Sequence, residues 1–409
     1  MVDCWLPYGN TEVYVSVEME NLLGIADMKK VEPEKTQVEI IMDAILDPNG
    51  KSLEELVQPG IDVAIAVDIY LSPQAIIQTL NEIIKILIEL IVPKDRITII
   101  LGNGESEKEN ITLRDAIKDS SELREITLID HNRSTTNIVD LGKTNRGTLV
   151  ELNNVYHSAK LKIAVGETRI DHLAGYTGAH NSIIPGLASS NTIKDYRKNY
   201  FDYQISPGKI ELNPIKEDIL EAVSMTGIDY SVNLVTNTEG KIIAAHTGGY
   251  EESWGKAINS LADQPEISIE EPADIVIVSA GGTPYDESLY QATWALYNAS
   301  KAAKKNGHII FLAQCVKGLG AEAYVQLSRV LDSNEIKRRY MYGAEALDFL
   351  RQVQKNNKII LVSALPNYLV ESLDLDVART ANEAYIKAHQ TRRGKKTLVM
   401  PHGSQSIVL

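Results

Sequence analysis

A chain of 409 residues is long for a single hydrophobic core, so two domains is the natural expectation. The formal net charge of −14 speaks against a general nucleic-acid binder, which needs clustered Lys and Arg to neutralise phosphates. Two cysteines, Cys4 and Cys315, cannot build a disulfide framework or a thiolate zinc site, which makes the reducing cytoplasm the expected compartment. The longest aliphatic stretch, Ile83 to Val92, is broken by Lys85 and Glu89 and is too short to span a bilayer. MVDCWLPYGN lacks the basic and apolar regions of a secretory signal. The one basic run, Arg392 to Lys396, reads as a solvated turn.

In chain order, the alternation of Val13, Val15 and Val17 predicts paired strands over residues 1–20. Ser52 to Val57 reads as a helix, and Ile61 to Val67 (IDVAIAV) as a strand buried on both faces, ending at Asp68. Ser72-Pro73 supplies an N-cap and an N1 proline for a helix whose apolar spacing runs to about Pro93. Further strands are predicted at Ile97 to Leu101, Glu125 to Ile129, Leu161 to Val165 and Lys241 to Ala245, with a helix around Thr112 to Lys118. Such alternation, with polar glycine-bearing loops after the strands, predicts a doubly wound α/β domain. Ala262 to Asp274, with two prolines and five acids, reads as a boundary. Beyond it, strands are predicted at Ile275 to Val278, Ile309 to Ala313, Ile359 to Val362 and Leu398 to Met400, with a helix from about Ser288 to Lys305.

One stretch stands apart. Gly166 to Gly186, GETRIDHLAGYTGAHNSIIPG, holds four glycines, two histidines, an arginine and two acids, a density that excludes an ordinary helix or strand. His172 and His180 are candidates to move a proton or ligate a metal. Phosphate or carboxylate could sit against such a loop, but neither G-x-G-x-x-G nor G-x-x-x-x-G-K-[ST] is present, so the dinucleotide and P-loop readings fail. His131, His246 and His402 each border a strand and are weaker candidates. Gln291 and Trp294 share a helix face, in a domain interface or a cleft wall.

Asp68 after its buried strand, GKTNRGT at Gly142 to Thr148, HLAGYTGAHNSIIPG at His172 to Gly186 and GGTPYDESLYQA at Gly281 to Ala292 together resemble the nickel-dependent lactate racemase family, in order and spacing, from about Tyr8 to Pro401. The resemblance implies two α/β domains with mostly parallel sheets and an interdomain cleft. The expected division is 1–266 and 267–409, with the last strand free to return to the first domain. It also implies a nickel-pincer nucleotide that takes a hydride from the α-carbon of a 2-hydroxy acid, while two histidines exchange the hydroxyl proton.

Against the family pattern, D-x-T-R reads Asp68-Ile69-Tyr70-Leu71, losing the carboxylate-clamping arginine. G-x-H-R reads Gly104-Glu105-Ser106-Glu107, which puts Ser106 at the first histidine. The second histidine falls on Asp171, beside His172, and the cofactor-tethering lysine on Asn181. DYRKNY, Asp195 to Tyr200, offers no nickel-binding histidine, and Q-A-x-K reads Gln291-Ala292-Thr293-Trp294. Through the resemblance, Asp171, His172 and His180 are the catalytic candidates, His172 and His180 also the metal candidates. Asp68, Ser106, Asn181, Gln291 and Trp294 are the cofactor-side candidates, and Arg146, Arg169 and Tyr176 the substrate-side ones. The expected protein is a racemase or epimerase of a small organic acid with a non-covalently held nickel-pincer-type cofactor. Its rival is a non-catalytic paralogue that binds a small anion or a protein partner.

Overall fold

The computed structural model describes residues 1–105, 110–203, 207–261, 264–391 and 394–409. The chain divides into two compact units, one of Lys30–Ala262 and one of Met1–Lys29 with Asp263–Leu409. Each is α/β around a six-stranded, mainly parallel sheet. Among the described residues no helix is long and apolar enough to cross a membrane.

The valine alternation at the start forms the hairpin β1 (Val2–Tyr8) and β2 (Thr11–Val17), which turns Cys4, Leu6, Val15 and Val17 inward. Trp5 and Tyr14 face out, with ring centroids 5.4 Å apart. After β3 (Leu22–Ile25) the chain enters the larger unit. There the expected strands are β4 (Val63–Asp68), β5 (Ile97–Asn103), β6 (Thr127–Asn132), β9 (Leu161–Glu167) and β13 (Ile242–Gly248), and β12 (Tyr230–Thr236) is a further strand that the sequence did not mark. Between them lie the hairpins β7 (Ile138–Lys143) with β8 (Leu149–Asn153) and β10 (Ile170–Asp171) with β11 (Gly175–Tyr176). The large sheet has the order β13-β12-β9-β4-β5-β6, antiparallel only between β12 and β13.

Its two faces differ because its residues do. Val63, Ile65 and Val67 of β4, Ile97, Ile99 and Leu101 of β5, and Leu161, Ile163 and Val165 of β9 join one core with the helix Pro73–Glu89, which Ser72 caps through the Ala75 N–H. Full burial of each such aliphatic side chain contributes about 1.5–3 kcal/mol. The opposite face ends in Gly102, Gly166 and, just past β5, Gly104, and the glycine-rich stretch lies directly on it. A Cβ on Gly166 would sit 2.6 Å from the Gly178 oxygen, and one on Gly104 2.2 Å from the Pro185 oxygen. The stretch is therefore packed and mostly buried rather than a surface loop.

Gly175 tests that packing. Its φ is +89° and a Cβ would meet the Lys209 oxygen at 2.2 Å, so Gly175→Ala is expected to cost about 3 kcal/mol. Gly147, at φ +87° with open space around it, serves as control, and Gly147→Ala should cost about 1 kcal/mol. Equal urea midpoints for the two variants would contradict the close approach.

The second unit contains β14 (Glu266–Ile267), β15 (Ala273–Ser279), β16 (Ala303–Leu312), β17 (Lys358–Val362), β18 (Asp376–Ala378), β19 (Thr397–Met400) and β20 (Ile407–Val408). Its large sheet, β18-β17-β16-β15-β19-β3, is parallel throughout. Three expectations change here. Residues 1–29 do not belong with the following domain, because β3 pairs with β19 and the first hairpin buries its inner face among Ile275, Ile310 and Val399. The last large-sheet strand stays in this unit, between β15 and β3. The helix expected over Ser288 to Lys305 is two, Leu289–Ala292 and Ala295–Ala302, and β16 begins at Ala303, where pairing with β15 overrides alanine's helical preference.

Candidate functional site

In the larger unit, the connections from β4 to β5 to β6 run to one side and β9 and β12 lie on the other, so the strand order reverses between β4 and β9. Open α/β sheets bind ligands beyond the carboxyl ends of their strands at such a reversal. Asp68 closes β4, Glu167 closes β9, Thr236 closes β12, and Glu105 lies two residues past β5.

These residues form one buried ionic network. Glu167 Oε1 accepts from the Thr236 hydroxyl, while Oε2 lies 3.3 Å from Arg169 Nε and makes no aligned hydrogen bond among the described residues. The Arg169 guanidinium lies over the Tyr70 ring, 4.6 Å from its centroid. Arg197 pairs with Glu105 and donates to the Tyr196 hydroxyl at 3.1 Å, and the Tyr70 hydroxyl donates to Glu105 at 3.3 Å. Asp68 Oδ1 accepts the Tyr70 N–H at 3.1 Å, whereas Oδ2 is buried without a hydrogen-bond partner among the described residues. Burial pushes the Asp68 carboxyl up and holds Glu167 at about 6, in each case against the opposing pull of Arg169. Thr177 fixes the connecting backbone, donating to the Glu167 oxygen at 2.6 Å and accepting the Arg169 N–H at 3.1 Å.

The histidine candidates are placed differently. His180 is 1% exposed, edge-on to Trp254 and Tyr250 at 4.8 and 5.6 Å, and burial drives its pKa down to about 3. His172 is also buried, with its pKa pushed down to about 4. Both rings are neutral at physiological pH. Asp171 turns its Oδ1 to the Leu173 and Ala174 N–H groups at 2.8 and 2.6 Å, holding the loop's own turn. Asn181 accepts the Gly178 N–H at 3.1 Å, and Tyr176 pairs with Ile170 in the small hairpin.

Arg146 forms an exposed ion pair with Glu217 at 3.0 Å. Its GKTNRGT motif is tied to the helix Pro214–Thr226 by buried Asp218, which accepts from Thr144, Thr148 and Asn199 at 2.5, 2.7 and 2.8 Å. His131 is structural: Asn153 Nδ2 meets its Nδ1, so Nε2 donates to the Ala188 oxygen at 3.1 Å. In the second unit, Gln291 accepts from Ser288 at 2.8 Å and Trp294 stacks on Phe349 at 5.5 Å. Ser106 lies outside the described residues. Of the expected site residues, the network thus contains Asp68 and Arg169. Sequence reasoning missed Glu105, Glu167, Thr236 and Arg197. Three of these stand at or just past strand ends, where position was the available signal, and Arg197 lies in DYRKNY, a segment without histidine.

Residues 8–205 match the family model described as Lactate racemase N-terminal domain, and residues 269–408 that described as Lactate racemase C-terminal domain. A protein named Lactate racemase from Thermoanaerobacterium thermosaccharolyticum is 25% identical over 432 residues, covering 100% of this chain and 99% of the relative. One of the same name from Lactiplantibacillus plantarum is 24% identical over 434 residues, covering 100% of both. The solved lactate racemase apoprotein of the Thermoanaerobacterium species superposes with a TM-score of 0.85 at 24% identity over 100% of both chains. A Thermotoga maritima protein superposes at 0.71 and 14% identity, over 93% of this chain and 100% of its own. The two superpositions speak for the fold.

Proposed function

This chain belongs to the lactate racemase family, and on that premise we propose that it is a racemase-like protein whose larger unit takes a small organic acid of the 2-hydroxy acid class. The seat is the carboxyl edge of the sheet between β4 and β9. One observation carries the reading: at the strand-order reversal a guanidinium, Arg169, acts on two buried carboxyls, and the buried Asp68 oxygen Oδ2 makes no aligned hydrogen bond among the described residues. Arg169 matches a ligand carboxylate, and the Asp68 oxygen matches its α-hydroxyl.

The residues present do not fit the tethered nickel-pincer nucleotide. Asn181 has no amine to form the bond, and its side-chain oxygen is committed to Gly178. His180 is enclosed by aromatic rings, and among the described residues no group of three or more His, Cys, Asp or Glu could hold a metal ion. A second reading, isomerisation by this chain's own acid–base groups, is favoured by the upward-shifted Asp68 and Glu167 carboxyls.

Calorimetric titration with single enantiomers of 2-hydroxy acids tests the first reading. Arg169→Ala is expected to weaken binding at least about tenfold, the share of one charged hydrogen bond, while Arg146→Ala leaves it unchanged. No binding to folded wild type, or loss in the Arg146 variant alone, rejects the site. Incubation in deuterium oxide with chiral chromatography separates a binder from an isomerase. Nickel content and intact mass after co-production with cofactor-making enzymes report any held nucleotide.

A further inference from the structure

Glu167 and Arg169 lie on one short run of chain whose backbone is held by Thr177. The contact between them is close but unaligned: Oε2 to Nε is 3.3 Å, and Oε2 makes no aligned hydrogen bond among the described residues although Glu167 is 4% exposed. Buried charged groups are ordinarily hydrogen-bonded, and the strong carboxylate–guanidinium pair is the aligned, two-pronged one. Here the carboxylate meets the guanidinium Nε in a close but poorly aligned contact. On its other neighbours Glu167 faces Thr236 from β12, whose hydroxyl it accepts, and Asp68 from β4, a like charge. Beyond these, Glu105 acts on Asp68 from the end of β5 and is itself paired with Arg197.

We propose that Glu167 is an internal stand-in for a ligand carboxylate: an organic acid binds by taking its place on Arg169, and takes up one proton as it does so. The proposal rests on the organic-acid reading given above. Among the described residues of the network, Asp68, Glu105 and Glu167 face Arg169 and Arg197, three carboxyls to two guanidiniums. An incoming carboxylate would make four to two in a buried setting, where unpaired charge is costly. Protonating the displaced Glu167 restores the starting balance. The proton goes to the carboxyl that loses its guanidinium, and no covalent bond is made or broken. Burial already holds that carboxyl at about 6, so the proton is available near neutrality.

The probe is sodium DL-lactate, titrated into the full chain by calorimetry from pH 5.5 to 8. Wild type should weaken about tenfold per pH unit above roughly 6.5, the slope of one linked proton. At pH 7, heats in PIPES and imidazole should differ by the ionisation of one proton per lactate bound. Glu167→Gln, which carries the shape of the protonated acid, should bind with a flat pH profile and at least about tenfold tighter than wild type at pH 8. Thr236→Val removes the hydroxyl that favours the charged form, and should move the break in the wild-type profile to higher pH. A flat wild-type profile, or an unchanged slope in Glu167→Gln, overturns the stand-in role while leaving the organic-acid site intact. Absence of lactate binding to folded wild type and folded Glu167→Gln at pH 5.5 overturns both.

Discussion

Acidification from pH 7 to pH 4 is expected to unfold the larger unit, and two buried histidines are a main cause. His172 and His180 are held neutral by burial, with pKa values near 4 and 3 against an ordinary 6.5. The unfolded chain takes up protons at 6.5 that the folded chain refuses. Stability from these groups is therefore full above pH 6.5 and falls as the pH drops toward their folded values. At about 1.4 kcal/mol per pH unit for each, the two withdraw on the order of 7 kcal/mol by pH 4. Glu167 acts in the opposite sense. Its folded pKa of about 6 lies above its ordinary 4.5, so it contributes stability below 4.5 that is lost as the pH rises through 6, on the order of 2 kcal/mol. The difference is comparable to the whole stability of many domains. Circular dichroism against pH should show cooperative loss between about pH 5 and 4. His180→Phe keeps a ring against Trp254 and Tyr250 and should retain about 3 kcal/mol more at pH 4 than wild type. An unchanged acid midpoint would show that His180 takes up protons freely.

Asp218→Ala is expected to cost on the order of 4 kcal/mol, because it strips one buried carboxylate from three donors at once. Thr144 and Thr148 lose their acceptor at the turn of the GKTNRGT motif, and Asn199 loses the same carboxylate. Asp218→Asn keeps the volume and one acceptor oxygen, and should cost about half as much. Urea unfolding measures both. The variants also separate two explanations of the motif. If it is an anchor for the helix Pro214–Thr226, organic-acid binding per folded molecule stays at the wild-type value; a large loss of affinity at full folding would place the motif in the site after all.

The fold was legible wherever one local rule decided the outcome. IDVAIAV could only be a strand covered on both faces, and Ser72-Pro73 could only open a helix, and both are found. The assignment of residues 1–29 was not legible, because the partner that fixes β3 is β19, almost the full chain away. The site shows the same division. Asp68 and Arg169 stood in stretches marked by strand ends or glycine, whereas Glu167 looks in sequence like one more acid in a chain of 55 acidic residues. What distinguishes it is a neighbour on either side, Asp68 and Thr236, supplied by strands 99 residues before it and 69 after it. The burial of the histidines was not legible for a related reason. A glycine-rich stretch suggests exposure, but these glycines let the backbone press onto the sheet, which buries the rings they flank.

The chain's order of growth follows from where β3 pairs. The larger unit is one unbroken segment and has all of its strands once residue 262 has left the ribosome, so it can fold while synthesis continues. The other unit cannot. Its first hairpin and β3 are made before the larger unit, yet β3 has no edge to join until Thr397–Met400 is made. Loss of Thr397–Met400 would leave β3 without its partner and β15 with an open edge, on a molecule whose larger unit is already formed. A nascent-chain series arrested at successive lengths should therefore become protease-resistant in two steps, the larger unit once residue 262 is exposed and the other only once Thr397–Met400 is.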